Sequence, residues 1–328
     1  MNVIDVEDLG KEFRTRRGRR TIALDGLDLT VPEGGVFGFL GPNGCGKTTT
    51  IRCLLGLARP TRGRVRVLGV EVPAGLPAAL PRIGSLVEGG ALFPTMGGRE
   101  NLRLLARLDG IGSRRVDAAL EQVGLSDRCD EAVRGYSLGM RQRLGLAAAL
   151  MKDPALLILD EPVNGLDPAG IRDVRRLLRR LGDEGRTVFL SSHLLAEIEL
   201  TCDRVAVVRR GRCVAAGRVE EILGRHESAL RVDAVDVDAA RAALVAAGMS
   251  AEHVAGALRV TPAEPARVSE VLGSRGIWVT ELRAEVASLE DEFLRLTEDP
   301  DESDGPVPER IHEPVPDTNL APVDAGRA

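Results

Sequence analysis

Aromatic side chains make up only 2% of this 328-residue chain: six Phe, one Tyr and one Trp. That supply is too thin for the row of rings on which single-stranded nucleic acids stack. A net charge of -5 also argues against the basic face that displaces counterions from a phosphate backbone. One basic cluster remains, Arg14, Arg16, Arg17, Arg19 and Arg20. It reads either as the solvated tip of a hairpin or as a contact for phosphate or a partner. The five cysteines, Cys45, Cys53, Cys129, Cys202 and Cys213, form no C-x-x-C pair and no cluster with the four histidines. Neither zinc nor a disulfide framework is indicated. Long apolar runs are missing too, residues 155–159 being among the longest, against the roughly 18 residues that a bilayer span needs. Asp5, Glu7 and Asp8 interrupt any apolar leader at the start. The expectation is a soluble, reduced, cytoplasmic protein unless a partner holds it at a membrane.

Lysine is nearly absent as well. Lys11, Lys47 and Lys152 are the only lysines among 44 Lys and Arg residues. Lys47 stands in Gly41-Pro42-Asn43-Gly44-Cys45-Gly46-Lys47-Thr48-Thr49, which fits the phosphate-binding pattern G-x-x-x-x-G-K-[ST]. A compact ammonium fits between terminal phosphates where a planar guanidinium fits poorly. Residues 36–40 form a short apolar run before the loop, and residues 48–57 show helical spacing behind it. Strand, glycine loop and helix is the context that turns backbone amides and a helix N-terminus toward phosphate.

With 44% hydrophobic and 28% charged residues, the composition is that of a globular protein with room for one large and one smaller domain. Residues 1–35 alternate apolar and polar positions, predicting antiparallel β structure. Helical spacing is predicted over 100–123, 138–151 and 171–181, with strands over 156–159, 187–191 and 205–208. Strands alternating with helices imply a mainly parallel sheet covered on both faces. After Gly224 the order of strand and helix candidates resembles a ferredoxin-like split. From about residue 300 the chain repeats Pro, Asp and Glu without apolar periodicity, which predicts disorder. The expected division is therefore a nucleotide-binding domain over 1–224, a small α+β accessory domain over 225–298 and an acidic, proline-rich tail over 299–328.

Further motifs narrow the chemistry. Leu156-Leu157-Ile158-Leu159-Asp160-Glu161 is an apolar strand ending in two carboxylates. Asp160 can hold magnesium, and Glu161 can take a proton from an attacking water. Between the loop and this strand lies Tyr136-Ser137-Leu138-Gly139-Met140-Arg141-Gln142-Arg143. Ser137 and Gly139, opening a helix, make a second anion site, although Ser-x-Gly is also an ordinary N-cap.

With these residues in this order, the chain resembles the ATP-binding subunits of ABC transporters. Residues 136–143 look like that family's signature motif, departing from the common L-S-G-G-Q form at Tyr136, Leu138 and Met140. Asn164-Gly165-Leu166-Asp167-Pro168 resembles its D-loop and Ser192-His193 its switch histidine. The resemblance implies an α/β P-loop NTPase with an antiparallel β subdomain, a helical signature subdomain and a small C-terminal domain. It implies ATP and Mg2+ as cofactors, with Thr48, Asp160 and Glu88 near the metal. Glu88 stands where the family usually has glutamine, so it adds negative charge beside Asp160 and Glu161. Phe13 occupies the position of the adenine-stacking aromatic; a place in the β core is the other reading. Lys47, Glu161 and His193 would be catalytic, with Ser137, Gly139 and Asp167 facing the nucleotide of a second copy in a head-to-tail, ATP-sandwiched homodimer. A separately encoded membrane permease would be the partner, contacted through the surface from Glu88 to Asn101 that includes Leu92, Phe93 and Met96. The chain would then be peripheral on the inner face of the cell membrane. The form of the signature, Glu88 and the C-terminal unit, ending in residues 288–294, resemble the antibiotic-resistance and drug-export subgroup. Two other readings are a soluble ABC-type ATPase acting on ribosomes or DNA, and a regulatory module without catalysis. The presence of both Glu161 and His193 disfavours the latter.

Overall fold

The computed structural model describes residues 2–14, 20–87, 92–224, 229–254, 256–261 and 264–285. The chain begins with two antiparallel strands, β1 (Asn2–Arg14) and β2 (Arg20–Pro32). β3 (Gly35–Leu40) runs into the glycine loop, and α1 (Lys47–Leu54) follows it. Then come β4 (Arg62–Val67), β5 (Val70–Glu71), the single turn α2 (Leu76–Ala79) and β6 (Ile83–Leu86). Three helices lie before the next strand: α3 (Gly98–Leu108), α4 (Ser113–Gln122) and α5 (Leu138–Leu150). β7 (Leu156–Leu159), α6 (Pro168–Asp183), β8 (Thr187–Ser192), α7 (Leu195–Thr201), β9 (Arg204–Arg209), β10 (Arg212–Arg218) and α8 (Val219–Gly224) complete this part.

β2, β1, β4 and β5 form a four-stranded antiparallel sheet, and a six-stranded sheet has the order β10-β9-β3-β8-β7-β6. Its strands are parallel except for β10 at one edge. The alternation of side chains divides the interior into two cores. On β7, Leu156 and Ile158 join the antiparallel sheet, while Leu157 and Leu159 join the helices. β8 repeats the rule, with Phe189 on the first side and Val188 and Leu190 on the second. Of the six phenylalanines, Phe37, Phe39 and Phe189 cluster in the first core, with centroids 6.0 and 5.4 Å from that of Phe189. Helix α6 buries Val174, Leu177, Leu178 and Leu181, a stripe at helical spacing. Each such side chain contributes about 1.5–3 kcal/mol on burial. Asp167 starts this helix by accepting a hydrogen bond from the Gly170 amide at 2.9 Å, and Pro168 follows at a position that needs no donor.

The predicted helix over 48–57 stops at Leu54, where Gly56 turns the chain at φ +68°. The helical stretch over 100–123 is two helices, parted near Gly110, whose φ is +68°. Beyond these lie β11 (Ala229–Ala234), α9 (Val237–Ala246), β12 (Ser250–Val254), β13 (Ala257–Thr261), α10 (Pro265–Gly273) and β14 (Val279–Glu285). Their β-α-β-β-α-β order and the sheet order β12-β13-β11-β14 are those of a ferredoxin-like split. Leu230, Val232, Leu258 and Val260 pack with Leu244, Val268 and Leu272 in a core of their own. Arg16, Arg17 and Arg19, Glu88, residues 288–294 and the tail from 299 lie outside the described residues.

Candidate nucleotide site

Three neighbouring strands, β3, β8 and β7, end side by side, and the chain leaving each one supplies part of a single polar site. Ligands of open α/β sheets bind beyond such carboxyl ends. From β3 comes the glycine loop. Gly44 and Gly46 hold φ of +82° and +111°, which glycine tolerates without strain. A side chain on Gly46 would meet the Ala23 carbonyl oxygen at 2.7 Å. Pro42, Asn43 and Gly44 are exposed, Cys45 and Gly46 are buried, and Thr48 and Thr49 are half-buried. Helix α1 opens without a capping side chain or an acidic residue in its first turn, so its amides remain available to an anion.

Lys47 is buried, 6% exposed, and its ammonium donates to the carbonyl oxygens of Gly41 at 2.7 Å and Pro42 at 3.3 Å. It also pairs with Glu161 Oε1 at 3.3 Å. The other carboxylate oxygen of Glu161, Oε2, lies 2.9 Å from His193 Nδ1. A carboxylate only accepts, which assigns the hydrogen to Nδ1 and leaves Nε2 for another partner. Thr48 Oγ1 donates to Asp160 Oδ2 at 2.7 Å. The loop lysine, both carboxylates and the histidine are thus brought together as expected.

The sequence reading missed Ser191. Its hydroxyl donates to Asp160 Oδ1 at 2.5 Å and accepts the Glu161 amide at 2.9 Å. The parallel register that pairs Leu159 with Leu190 sets Asp160 beside Ser191. Glu161 itself adopts φ +47°, a conformation uncommon outside glycine and concentrated at functional sites. Ser191 is a positioning residue, so Ser191→Ala should lower the ATP turnover number about tenfold or more, as expected when a hydrogen bond to a charged group is lost. The nucleotide affinity should change much less, and Ser191→Thr should recover part of the rate. A kcat-against-KM comparison checks this.

Cys45 lies in the loop, where burial raises its thiol pKa and the Lys47 ammonium partly opposes the rise. It is a packed, unreactive thiol rather than a nucleophile.

Phe13 is 38% exposed beneath the Lys11 ammonium, which sits 4.8 Å from the ring centroid. It is therefore outside the core and available to a stacking partner. Ser137 caps α5 through the Met140 amide at 3.2 Å and is exposed. Among the described residues, no hydrogen bond or ion pair joins Ser137 or Gly139 to the glycine loop. Their neighbour is the segment after Glu161. A Cβ on Gly165, held at φ +74°, would meet Leu138 at 2.5 Å; one on Gly139 would lie 3.5 Å from Leu166; Gln142 donates to the Pro162 carbonyl at 2.9 Å. Glu88 lies outside the described residues.

A glycine loop between a parallel strand and a helix, with Lys47 and Thr48 at its end and the strand-end Asp160 beside them, is the arrangement of a P-loop NTPase. Comparison narrows the class. Residues 24–164 match the family model described as ABC transporter. The chain is 39% identical over 297 residues to the uncharacterized ABC transporter ATP-binding protein YhcH of Bacillus subtilis, covering 90% of this chain and 96% of that one. It is 36% identical over 300 residues to the bacitracin transport ATP-binding protein BcrA of Enterococcus faecalis, with coverages of 90% and 96%. Among solved structures, an ATP-binding subunit of an ABC transporter superposes with a TM-score of 0.60 at 28% identity, over 68% of this chain and 92% of that one. The chain belongs to the ATP-binding proteins of ABC transporters and is an ATPase. No helix among the described residues is long and apolar enough to cross a membrane.

Proposed function

We propose that this ATPase powers export of an amphipathic antibiotic or similar compound through a separately encoded permease, as a head-to-tail homodimer on the inner face of the cell membrane. The observation that carries the hydrolytic part is the placing of Glu161 between Lys47 and His193, directly after the Asp160 carboxylate that Thr48 and Ser191 hold. In this reading the loop amides and the Lys47 ammonium bind the β- and γ-phosphates of ATP. Thr48 Oγ1 and Asp160 Oδ2 are hard oxygen donors already in contact. They suit magnesium, which keeps few protein ligands and takes the rest from phosphate and water. Magnesium would neutralise charge between the phosphates. Glu161 takes a proton from the attacking water, and His193 steadies the Glu161 carboxylate through its Nδ1 hydrogen.

The exposed Ser137 and the half-buried Gly139 bind the γ-phosphate held by a second copy. Leu138 packed on Gly165, and Gln142 bonded to Pro162, tie each chain's own carboxylates to the signature it offers its partner. Support for the cargo class comes from the bacitracin transport name of a nearly full-length relative. That name also disfavours a soluble factor acting on ribosomes or DNA. Deleting the gene should raise cellular accumulation of at least one amphipathic antibiotic. Wild-type protein should reverse this and Glu161→Gln should not. Unchanged efflux of every amphipathic compound tried would remove the cargo assignment.

A further inference from the structure

Strands β9 and β10 are joined by the two-residue turn Arg210-Gly211, with φ of +46° and +75° between the paired Arg209 and Arg212, as in a type I′ hairpin. This turn is wedged between the glycine loop and β2. The Gly211 amide donates to the Cys45 carbonyl oxygen of the loop at 2.9 Å, and the Gly211 carbonyl oxygen accepts the Asp25 amide of β2 at 3.0 Å. Gly211 is buried, and a Cβ there would meet the Ala23 carbonyl oxygen and Leu24 Cα at 2.7 Å and the Asp25 nitrogen at 2.9 Å. These three nearest atoms are all backbone of β2 rather than of the loop. The residue after the turn joins the same contact. Arg212 donates through Nε and Nη2 to Asp25 Oδ2 at 3.2 and 2.6 Å, while Arg62 of β4 meets Oδ1 at 3.1 Å. The hydrogen bond from Arg212 does most to lower the Asp25 pKa, which keeps the carboxylate charged for both arginines.

We infer that Gly211, helped by the pair of Arg212 and Asp25, is a positioning residue that sets the span between the glycine loop and the Phe13 ring, so that one nucleotide reaches both. The path is short. The loop follows β3 and the turn follows β9, which are parallel neighbours in the six-stranded sheet, so the turn is anchored with the loop. β2 belongs to the other sheet, and its Asp25 and Leu24 pair with Gly10 and Lys11 of β1. Phe13 follows two residues beyond Lys11 on the same strand. Where β2 rests on the turn therefore decides how far the ring lies from the phosphates. ATP gains from both ends only when that distance is set before it binds. The ion pair is exposed and adds little by itself, so the buried glycine contact carries the spacing. The inference rests on ATP binding at the loop with Phe13 against its base, and not on the cargo or the permease.

The test compares two probes by isothermal titration into the purified full chain: ATP, which engages both ends of the span, and inorganic tripolyphosphate, which engages the loop alone. Gly211→Ala should push β2 off the turn and lower ATP affinity about tenfold, the loss expected when a base loses its aromatic partner, with tripolyphosphate affinity unchanged. Phe13→Ala should do the same. The double variant should bind ATP no more weakly than either single variant, because the two substitutions break one span. Arg212→Ala, which leaves the buried turn intact, should show the same preference between the probes at smaller size, and Arg212→Lys should recover part of it. Equal losses of ATP and tripolyphosphate in Gly211→Ala overturn the inference, since the turn would then only hold up the loop. Additive losses in the double variant overturn it too. Undiminished ATP binding by Phe13→Ala removes the stacking partner and the span with it. If Gly211→Ala does not fold, Arg212→Ala, alone and combined with Phe13→Ala, decides by the same criteria. A wild-type chain that binds neither probe defeats the phosphate site itself and the span along with it.

Discussion

Glu161→Gln binds ATP about as well as the unaltered protein and hydrolyses it about 10²–10⁴-fold more slowly, the usual contribution of a positioned general base. The amide keeps the size and planarity of the carboxylate, so the contacts that place residue 161 survive in part. Its backbone amide still donates to Ser191 Oγ, bonded at 2.9 Å, and its side-chain oxygen can still accept from Lys47, 3.3 Å away in the native pair. Two things are lost. The amide has no basic oxygen to accept a proton from water, and its NH2 would confront the Nδ1 hydrogen of His193, which the native carboxylate accepts at 2.9 Å. Single-turnover phosphate release and equilibrium nucleotide binding, measured on the same preparation, separate these effects. The same variant should accumulate as an ATP-bound dimer. Undiminished steady-state hydrolysis would take Glu161 out of its assigned role.

Lys47→Ala is expected to lose both binding and turnover, with ATP affinity or rate falling about 10²–10³-fold, as when one preorganised donor to a charged oxygen is removed. The ammonium is the permanently charged partner of Glu161 among the described ion pairs, and it is 6% exposed. Lys47→Arg should fail nearly as badly, although it conserves charge. The ammonium sits 2.7 Å from the Gly41 carbonyl oxygen inside the loop, and a Cβ added to Gly41 would already be 2.5 Å from Cys45 Sγ. A guanidinium needs more room and a planar partner. This is the physical content of a lysine kept in a chain whose only other lysines are Lys11 and Lys152. Isothermal titration with ATP distinguishes the outcomes, and wild-type binding by Lys47→Arg would show that charge alone matters.

The site was legible in the sequence to the extent that local pattern carries it. The glycine loop is defined by residues within a few positions of one another, and four consecutive apolar residues make β7 readable as a buried strand. The capped, striped helix α6 was readable for the same reason, and the structure extends it to Pro168–Asp183. Ser191 was not readable. Its role comes from the register between β7 and β8, and a serine at a strand end has no local mark that distinguishes it. Nor was the buried Asn101 apparent, because its partners are backbone groups of a loop without a motif. In β10 the apolar residues Cys213, Val214, Ala215 and Ala216 run consecutively, Val214 and Ala216 facing out, so it lacks the apolar-polar alternation that marks a half-buried strand. The ferredoxin-like unit was recognisable by the order of its elements, since each has its own short apolar set.

The central claim is that each catalytic site is shared between two copies, the loop from one and the signature from the other. Complementation tests it directly. Lys47→Ala and Ser137→Arg are each expected to be inactive alone. Mixed in equal amounts, they should form heterodimers in which one site carries both lesions and the other carries none. Random pairing then returns up to about a quarter of wild-type hydrolysis. The double variant carrying both substitutions in one chain, mixed with wild type, should instead give heterodimers with no intact site, because each site then carries one lesion. If the two single variants remain inactive together at concentrations where wild type forms its ATP-bound dimer, the shared-site account is contradicted.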